Sequence, residues 1–582
     1  MICKTAFLAV IISSFIYAGH PISIDGLFED WDNVPLSYQD QEGDMSLGMV
    51  DFADFKITYD NEFLFIYFSI YSNDFLLQDN NSVNLYIDAD NDSTTGHYYF
   101  GLGAELHWEF GQRSGTHYVA DGIIPVEHRD ITFRSSPTIT SQEFEICIAR
   151  DSYALQSEYS EELVEGRIVI AESPPNSDFL PNEPGGVPFY IGEDLIPEPI
   201  PISFEKRHDD DIRLVSHNVW SSALINDDYQ EHFRRIYQSL NPDIVVLQEM
   251  YENTNQLHSL FNSWFPDEQW YVSNQFRDNI IISKYPVLEQ NFFTSSERTM
   301  VSLLDTEDEL GKNLIIFNSH LACCDNDESR QYDADEFVSN WREWRNNDNG
   351  PFTLVDSTPF VHVGDFNLVG NRQQLTTLTE GDIEDENVFG DDYALDWDGT
   401  PIADLFSRHS HKRMGYTWRY DYSSYSPGKL DYILYSDSVI DTSKHFVLNT
   451  LTMDSTSLLF YGLDPMDSYN SSDHSPRVLD IKIPDNVGIG SSIIPKSIKI
   501  SAPYPNPFNP QTMIQIELDQ STYLQANVYD INGRFVKKLI EKDFQSGRHE
   551  IKFKNNGLTS GIYFIKIQNV EIQRTLKVVL LK

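Results

Sequence analysis

Short runs of aromatic and β-branched residues, separated by clusters of Asp, Asn and Gly, dominate the chain between residues 20 and 195. Runs of this kind predict strands, and their spacing is typical of an antiparallel sandwich. The clearest predicted strands are 55–59, 63–69, 83–87 and 106–110. A Pro-rich segment follows, so we expect a first β-sandwich over 20–195 and a linker over 196–204.

The hydrophobic pattern changes between residues 205 and 484, where apolar runs alternate with an amphipathic segment. Segment 229–240 places Phe233, Ile236, Tyr237 and Leu240 on one face, which predicts a helix. The runs that predict strands are 212–216, 243–247, 279–283, 314–319 and 360–363. Alternation of helices and strands favours a layered α/β or α+β domain.

Residues 501–582 return to a strand pattern after a linker over 485–500 that is rich in Gly and Ser. Four prolines between residues 503 and 510 predict an extended or turn conformation at the start. The predicted strands are 512–517, 525–529, 550–553 and 562–567, with a hairpin turn at Asn532-Gly533. We therefore expect a second β-sandwich at this end.

The N-terminal segment contains Lys4, an apolar stretch over 6–12 and the small residue Ala18, in this order. This order predicts a secretory signal over 1–18, because the apolar stretch is too short to span a bilayer comfortably. The alternative is a buried first helix. No later segment approaches the ~18 apolar residues that a membrane span needs, so we predict no transmembrane span.

Charge and cysteine content narrow the function. The chain has 90 acidic and 41 basic residues, for a formal net charge of −49. An acidic surface argues against broad nucleic-acid binding, although cations bound at a site would still permit a nuclease. The four cysteines, which exclude a disulfide scaffold and a four-ligand zinc site, are Cys3, Cys147, Cys323 and Cys324.

Polar residues end several predicted strands of the middle region, where α/β scaffolds place ligands and catalytic groups. In order they are Asn218 in Ser-His-Asn-Val-Trp, Glu249 in Leu-Gln-Glu, His320 in Asn-Ser-His-Leu, Asp365 and Asn367 in Gly-Asp-Phe-Asn, Asp431 in Leu-Asp-Tyr-Ile-Leu, and Asp473 and His474 in Ser-Asp-His. Each motif alone is compatible with an ordinary turn or a structural His. The ordered set is more specific.

The residue types suit metal-assisted hydrolysis of a phosphodiester. That reaction needs neutralisation of charge on the phosphoryl oxygens and a positioned water. Carboxylate and amide ligands without a thiolate favour Mg²⁺, Mn²⁺ or Ca²⁺ over zinc. A His beside an Asp has its tautomer fixed and its charged form stabilised.

The ordered motifs resemble the endonuclease/exonuclease/phosphatase superfamily, which includes deoxyribonuclease I, apurinic endonucleases, neutral sphingomyelinases and inositol-polyphosphate phosphatases. The resemblance covers the domain predicted over 205–484. It implies a central four-layer α/β sandwich of the deoxyribonuclease I type, with one or two Mg²⁺ (or Mn²⁺) at the sheet edge. The predicted fold class is then a multidomain chain in which N- and C-terminal β-sandwiches flank that domain.

The resemblance also implies roles for these residues. Glu249 is expected to be the principal metal ligand, with Asn218 beside it and Asp473 nearby. Asp365 is expected to orient or deprotonate the attacking water, and Asn367 to hold the phosphate.

Two histidines complete the site that the resemblance implies. His474, paired with Asp431, is expected to stabilise the transition state. His320 is expected to contact the phosphate or assist the leaving oxygen. His320 has an acidic partner in this family, and Asp278 is the candidate.

Three neighbouring features have two interpretations each. Cys323-Cys324 predict either a strained vicinal disulfide or a pair of small packed hydrophobic side chains. Arg330 predicts either a contact with a substrate phosphate or an exposed ion pair. Trp418 is either a stacking surface for a base or sugar, or a core indole.

In the first domain, Asp88, Asp90 and Asp92 alternate before Gly96, which predicts either a Ca²⁺ loop or a solvated acidic turn. The segment lacks the Glu of an EF-hand. With Ile24-Asp25-Gly26 and Asp30-Trp31, the domain resembles a family 9 carbohydrate-binding module or a DOMON domain. That resemblance implies contact with a glycan or the cell surface.

The C-terminal domain, 501–582, resembles the sorting domain of type IX secretion cargo. The matching segments are 504–510, 529–534 and 558–563. The resemblance implies recognition by the type IX secretion machinery and a secreted or cell-surface location.

Three functions are therefore open: an extracellular nuclease, which is favoured; a sphingomyelinase-like or other phospholipid phosphodiesterase or phosphatase; and a non-catalytic cell-surface binding protein. The full set of motifs argues against the third. A basic groove beside His320 would favour nucleic acid, and an apolar rim would favour lipid.

Overall fold

A computed structural model of the chain describes residues 19–45, 48–156, 163–173, 177–192, 195–251, 254–482, 498–500, 503, 505–518, 522–530, 534–545, 547–555, 557–568 and 573–581. The chain divides into two compact units, Met1–Asp485 and Asn486–Lys582. The predicted signal 1–18, most of the linker 485–500 and the predicted turn Asn532-Gly533 lie outside the described residues.

The first part of the larger unit is built from strands, as predicted. The strands are β1 (Tyr38–Gln39), β2 (Phe52–Tyr59), β3 (Phe63–Ile70), β4 (Val83–Asp88), β5 (His97–Tyr99), β6 (Leu102–Ala104), β7 (Leu106–Glu109), β8 (Ser114–Val119), β9 (Gly122–Val126), β10 (Arg134–Ser136), β11 (Glu143–Ala149), β12 (Glu165–Glu172), β13 (Phe179–Leu180) and β14 (Val187–Tyr190). One sheet has the order β1-β2-β3-β11-β10, and a second has the order β13-β12-β4-β7-β8-β9, with β14 beside β12.

The two sheets enclose a core that includes Ile66 of β3 and Leu85 of β4. Side chains of β3 are apolar on both faces because the other face is also covered. Phe63 and Phe65 pack with Met414 of the following domain in a separate apolar cluster. The continuous apolar run of β3 therefore reflects burial on two sides.

The second part of this unit contains both strands and helices. The strands are β15 (Ile212–Asn218), β16 (Ile244–Gln248), β17 (Tyr271–Val272), β18 (Ile280–Ser283), β19 (Val287–Phe292), β20 (Thr299–Leu304), β21 (Leu314–His320), β22 (Phe360–Asp365), β23 (Ala403–Asp404), β24 (Asp431–Tyr435), β25 (Asp441–Val447) and β26 (Arg477–Lys482). The α-helices are α1 (Gln230–Leu240), α2 (Thr254–Trp264), α3 (Glu307–Leu310), α4 (Asp327–Asn347), α5 (Gln373–Glu380), α6 (Glu386–Phe389), α7 (Ser455–Tyr461) and α8 (Asp467–Ser471).

Two mixed sheets form the centre of this domain, with the orders β17-β18-β16-β15-β26-β25 and β19-β20-β21-β22-β24-β23. Their facing sides share a core that includes Val246 and Ile316. The apolar face of α1, with Phe233, packs on the first sheet. Trp341 of α4 packs with Phe317 on the second. The four layers are helix, sheet, sheet and helix, which confirms the predicted fold class.

The N-terminal sandwich holds a loop of the central domain, residues 418–426. Arg113 lies over the ring of Tyr425, with 4.2 Å between the guanidinium carbon and the ring centroid. Arg129 lies over Tyr422 at 5.2 Å. Such cation–π contacts stabilise a loop by roughly 0.5–2 kcal/mol each. The loop is thus fixed from the sandwich side.

A second contact reaches the segment after β22. The hydroxyl of Thr138 donates a hydrogen bond to the carbonyl of Leu368 at 2.9 Å. The amide of Thr140 donates to the carbonyl of Gly370 at 2.9 Å. Leu368 directly follows Asn367, so the sandwich also supports this part of the predicted site.

The described residues of the smaller unit form strands and connecting turns, and its four predicted strands are confirmed within longer ones. Its strands are β27 (Ile498–Ile500), β28 (Gln511–Leu518), β29 (Thr522–Asp530), β30 (Phe535–Phe544), β31 (Gly547–Lys554), β32 (Gly561–Gln568) and β33 (Gln573–Leu580). They form sheets with the orders β27-β28-β31 and β30-β29-β32-β33 around a core that includes Ile516 and Ile565.

None of the helices in the described part of the chain has both the length and the hydrophobicity of a transmembrane helix.

Candidate active site

The predicted site residues meet at one end of the two central sheets. β15 and β16 are parallel, with Asn218 in register with Gln248, so Asn218 and Glu249 lie at the same edge. β21 and β22 are also parallel, with His320 opposite Asp365. Because parallel strands end on the same side, four motifs that are far apart in sequence converge.

Two further residues reach this edge from antiparallel strands. Asp431 is the first residue of β24 and lies opposite Asp365 in the ladder. His474 lies shortly before β26, which runs antiparallel to β15. Antiparallel neighbours contribute the start of a strand where parallel neighbours contribute the end.

Asp365 is the centre of the arrangement. Its Oδ2 atom accepts a hydrogen bond from Nδ2 of Asn218 at 3.0 Å. The same oxygen lies 3.7 Å from Nε2 of His320 and 3.7 Å from Nε2 of His474. Its Oδ1 atom accepts from the amide of Asn367 at 3.0 Å. One carboxylate therefore lies between two imidazoles.

Each of these imidazoles is held by another carboxylate on its far side. Nδ1 of His474 lies 2.8 Å from Oδ2 of Asp431. Nδ1 of His320 lies 2.5 Å from Oδ2 of Asp278. The expected partnership of His320 with Asp278 is confirmed. These contacts fix both rings with Nε2 directed at Asp365.

The carboxylates favour the charged form of both histidines. Burial lowers the pKa of His474, but the charges of Asp431 and Asp365 outweigh it and hold the pKa well above the ordinary value. Burial likewise opposes the charge on His320, yet its hydrogen bond to Asp278 and the charge of Asp365 raise its pKa. Two imidazolium groups can therefore face Asp365 at neutral pH.

The pKa values of the three carboxyl groups around the histidines, Asp278, Asp431 and Asp365, are shifted in different directions. Burial raises the pKa of Asp278 and of Asp431, but the histidine partner of each outweighs burial and lowers the pKa below the usual value. Burial raises the pKa of Asp365 to about 6, despite the opposing charge of His474. Asp365 is thus the carboxyl of the group that is best suited to exchange a proton near neutral pH.

Substitution Asp431→Asn is expected to lower the pKa of His474 in the metal-free protein. Removal of a facing negative charge destabilises the imidazolium, so the pKa of His474 should fall. Since the folded pKa of His474 is raised, its stabilising contribution is complete at low pH and disappears as pH rises through that pKa. NMR titration of ¹³C-labelled histidines measures the shift, with His320 as the internal reference. An unchanged His474 titration would contradict the assigned pairing.

A run of left-handed residues shapes the turn around Glu249. Trp220, Ser221 and Ser222 have φ angles of 41°, 54° and 66°, and Glu249 has 58°. This conformation is uncommon for residues other than Gly and marks a constrained functional segment. The amide of Ser221 donates to Oε2 of Glu249 at 2.8 Å, and Nδ2 of Asn218 donates to Oε1 at 3.1 Å. The Glu249 carboxylate is therefore fixed beside Asp365.

Glu249, His320 and Asp365 each offer a ligand atom within 4.8 Å of the other two. A protonated His320 cannot ligate a metal, so the two carboxylates are the principal donors of this group. The amide of Asn218, which touches both, would add a third oxygen after half a turn. An oxygen-rich donor set of this kind fits a hard divalent cation.

Asp473 is held by the segment that carries Trp418. Its Oδ2 atom accepts a hydrogen bond from Nε1 of Trp418 at 3.0 Å, and its carbonyl accepts from the amide of Arg419 at 2.8 Å. Among the described residues, no three-residue group of metal-ligating atoms includes Asp473. Trp418 is half-buried and fixes this carboxylate, a role that neither sequence interpretation included.

The segment after His320 is held by a buried arginine. Arg330 donates to the carbonyls of Ala322 and Cys324 at 2.7 and 2.9 Å, and its Nη2 atom pairs with Oδ1 of Asp327 at 2.6 Å. The ion pair that the sequence allowed is present, with the arginine buried and the carboxylate 49% exposed. Arg330 fixes the turn between β21 and α4. Cys323 and Cys324 are free and exposed, which corrects both the disulfide and the packed interpretation.

The acidic loop of the N-terminal sandwich gathers a different set from the one expected. Asp88 and Asp90 lie with Glu105, one ligand atom from each within 4.8 Å of the others. Asp92 instead accepts a hydrogen bond from the hydroxyl of Thr94 at 2.6 Å. Oδ1 of Asp88 is buried without a hydrogen-bond partner among the described residues. Glu105 gave no signal in sequence because it lies outside the loop.

Two family models match the chain. Residues 215–474 match the Endonuclease/Exonuclease/phosphatase family. Residues 502–581 match the Secretion system C-terminal sorting domain. No curated protein matches the chain. The sorting domain indicates type IX secretion and hence a secreted or cell-surface protein.

Three solved structures are similar to parts of the chain. ANGEL2, a 2′,3′-cyclic phosphatase in complex with adenosine-2′,3′-vanadate, is 15% identical over 48% of this chain and 97% of that chain, with a TM-score of 0.32. AP endonuclease LMAP from Leishmania major is 12% identical over 49% and 93%, with a TM-score of 0.28. PorZ of Porphyromonas gingivalis is 16% identical over 19% and 14%, with a TM-score of 0.11. Similarities at these TM-scores assign no activity to this chain.

Proposed function

We propose that this exported hydrolase, whose central domain is of the endonuclease/exonuclease/phosphatase family, is a divalent-metal-dependent phosphodiesterase that acts as an extracellular nuclease. The observation that carries the proposal is the position of Asp365 between two charged imidazoles, 3.7 Å from each Nε2, beside the fixed carboxylate of Glu249. At one end of the two central sheets, this arrangement supplies a base, two cationic groups and a carboxylate that can bind a metal ion.

Glu249 and Asn218 would hold a Mg²⁺ or Mn²⁺ ion, with Asp473 nearby, and Asp365 would stay free of the metal to act as the base. When bound, the ion supplies positive charge to the phosphoryl oxygens. Asp365 orients the attacking water and accepts its proton, for which a pKa of about 6 is suitable. Asn367 donates its backbone amide to Asp365 and its side-chain Nδ2 to the carbonyl of Leu321, and from this position it would hold the phosphate.

The imidazolium of His474 stabilises the negative charge that develops on the phosphoryl oxygens, and Asp431 keeps it protonated. His320 is placed to contact the phosphate or to give a proton to the leaving oxygen, since Asp278 keeps its outer nitrogen engaged. Two cationic rings on either side of one base suit a reaction in which an anionic substrate gains charge.

Basic residues beside His320 favour nucleic acid as the substrate. Nη1 of Arg298 donates to the carbonyl of His320 at 3.3 Å. Arg277 adjoins Asp278 and its side chain is 43% exposed. Each arginine also lies near a carboxylate, Arg277 3.9 Å from Asp278 and Arg298 4.0 Å from Asp333, so on a chain with a net charge of −49 their charge would aid phosphate binding beside a bound cation.

Exposed aromatic rings flank the same edge. Trp220 follows the Asn218 strand and is 45% exposed, and Tyr251 follows Glu249 and is 49% exposed. Planar side chains next to a phosphodiester site can stack on unpaired bases, at roughly 1–3 kcal/mol per base. Single-stranded nucleic acid is therefore the preferred form of the substrate.

A specific feature favours the lipid alternative. Leu459 and Phe460 of α7 are 83% and 72% exposed, in the segment that leads to Asp473. Adjacent exposed apolar side chains suit contact with a lipid surface.

For the N-terminal sandwich, we propose contact with a glycan or the cell surface, and Ca²⁺ at Asp88, Asp90 and Glu105.

Hydrolysis of single-stranded DNA and of bis-p-nitrophenyl phosphate by the full chain is expected to require Mg²⁺ or Mn²⁺ and to stop when EDTA is added. Arg277→Gln should raise KM for DNA several-fold at low salt and leave bis-p-nitrophenyl phosphate unaffected, because only the polyanion meets the local field. Sphingomyelin is measured in parallel.

The matched control is Arg234→Gln, which removes an arginine of α1 that pairs with Glu231 on the surface. Turnover of sphingomyelin alone would replace the nuclease by the lipid alternative. Full activity in EDTA, after removal of bound metal, would contradict the metal requirement.

A further inference from the structure

A second group of carboxylates lies at the edge of the N-terminal sandwich. Its residues are separate from those of the acidic loop at Asp88. Asp40, Asp44 and Asp178 each offer one oxygen within 4.8 Å of the other two. Asp40 is 4% exposed and Asp178 is 2% exposed, whereas Asp44 reaches solvent. Two buried carboxylates and an exposed one thus converge on one point.

The partners of these carboxylates leave one oxygen unsatisfied. Nδ2 of Asn182 donates to Oδ1 of Asp40 at 2.7 Å and to Oδ2 of Asp44 at 2.6 Å. The other oxygen of Asp40, Oδ2, is buried and has no hydrogen-bond partner among the described residues. A buried acceptor without a donor is costly, and the usual remedy is a proton or a cation.

Asp178 is held rigidly toward the group. Its Oδ2 atom accepts from the amide of Phe52 at 2.6 Å, and its Oδ1 atom accepts from the amide of Phe179 at 2.8 Å. The charged groups that face Asp40 are Asp178 and Asp44, which are both acidic. Burial and the charge of Asp178 raise the pKa of Asp40 to about 7, so the three groups repel one another when ionised.

The group joins the two sheets of the sandwich. Asp40 directly follows β1, which is the edge strand of the first sheet, and Asp178 directly precedes β13, which is at the edge of the second. Asp44 lies on the connection between β1 and β2. A ligand that binds all three would therefore tie the open edge of the sandwich together.

We propose that Asp40, Asp44 and Asp178 form a Ca²⁺ site that fastens the edges of the two sheets. Carboxylate oxygens without nitrogen or sulfur donors, arranged irregularly around one point, suit Ca²⁺ better than zinc or the strictly octahedral Mg²⁺. Half a turn of the Asn182 amide would add its oxygen as a fourth ligand. Ca²⁺ bound at this site would stabilise the folded sandwich by mass action.

The test uses the full chain after dialysis against EDTA. Addition of Ca²⁺ at about 100 times its dissociation constant is expected to raise the unfolding midpoint of the sandwich by roughly 5 °C. In Asp40→Asn/Asp178→Asn the shift should be smaller by the share that this site contributes, and isothermal titration should show one Ca²⁺ fewer per chain. Asparagine keeps the shape of each side chain and removes the repulsion, but at Asp178 it can accept from only one of the amides of Phe52 and Phe179. The single variant Asp40→Asn, which keeps both of these hydrogen bonds, is therefore measured beside the double variant and should show the same loss of the Ca²⁺ shift.

Two control variants separate this site from the other candidates. Asp90→Asn alters the loop at Asp88, and Glu249→Gln alters the central site; each should keep the shift that depends on Asp40. If the double variant retained the full Ca²⁺ shift and stoichiometry, the proposal would be overturned. It would also be overturned if the wild-type midpoint were insensitive to Ca²⁺, because Asp40 and Asp178 would then share a proton.

Discussion

His474→Ala is expected to lower kcat by about 10²- to 10⁴-fold, which is the usual contribution of a positioned acid or base group. The ring is buried between Asp431 and Asp365, and its Nε2 lies 3.7 Å from the Asp365 carboxylate. Alanine removes both the charge that stabilises the transition state and the group that orients the base. The measurement is single-turnover hydrolysis of bis-p-nitrophenyl phosphate at saturating Mg²⁺.

The matched control is His258→Ala, an exposed histidine of α2. It should leave kcat within a factor of two, as expected for a surface substitution. Circular dichroism and the unfolding midpoint establish that both variants fold. Wild-type kcat in folded His474→Ala would remove His474 from the proposed mechanism.

Glu249→Gln is expected to lower activity by roughly 10³-fold and to raise the Mg²⁺ concentration that gives half-maximal activity by at least tenfold. Glutamine can still accept the hydrogen bond from Ser221, so the left-handed turn should persist. What changes is the negative charge beside Asp365. Activity is measured as a function of Mg²⁺ from micromolar to tens of millimolar concentrations.

Glu268→Gln is the control, because it removes a surface carboxylate that pairs with Lys284. It should not alter the dependence on Mg²⁺. An unchanged dependence in Glu249→Gln would place the metal elsewhere, and the other carboxylates at the edge would then be tested.

Periodicity predicted the strands and α1 well because burial is regular there. The apolar face of α1 is the predicted one, and the helix begins at Gln230, one residue after the prediction. β21 and β22 extend to His320 and Asp365 themselves. The position of site residues at strand ends is therefore the feature of the site that the sequence predicts most directly.

The remaining features depend on tertiary contacts. The placement of Asp473 is set by Trp418, a residue 55 positions away. The burial of Arg330 follows from carbonyls that a turn directs inward, and its charge gave no indication of that. Asp40 and Asp178 are brought together only when the two sheets pack. No local sequence pattern predicts tertiary contacts of this kind.

The contacts between the N-terminal sandwich and loop 418–426 limit how the N-terminal and central domains can be recombined. Arg113 and Arg129 belong to one module, whereas Tyr425 and Tyr422 belong to the other. A natural or engineered exchange that joined the central domain to a foreign N-terminal partner would lose these contacts and loosen the loop that carries Trp418. Loop and sandwich therefore have to be inherited as a pair, and the smallest unit that can be shuffled intact spans both domains.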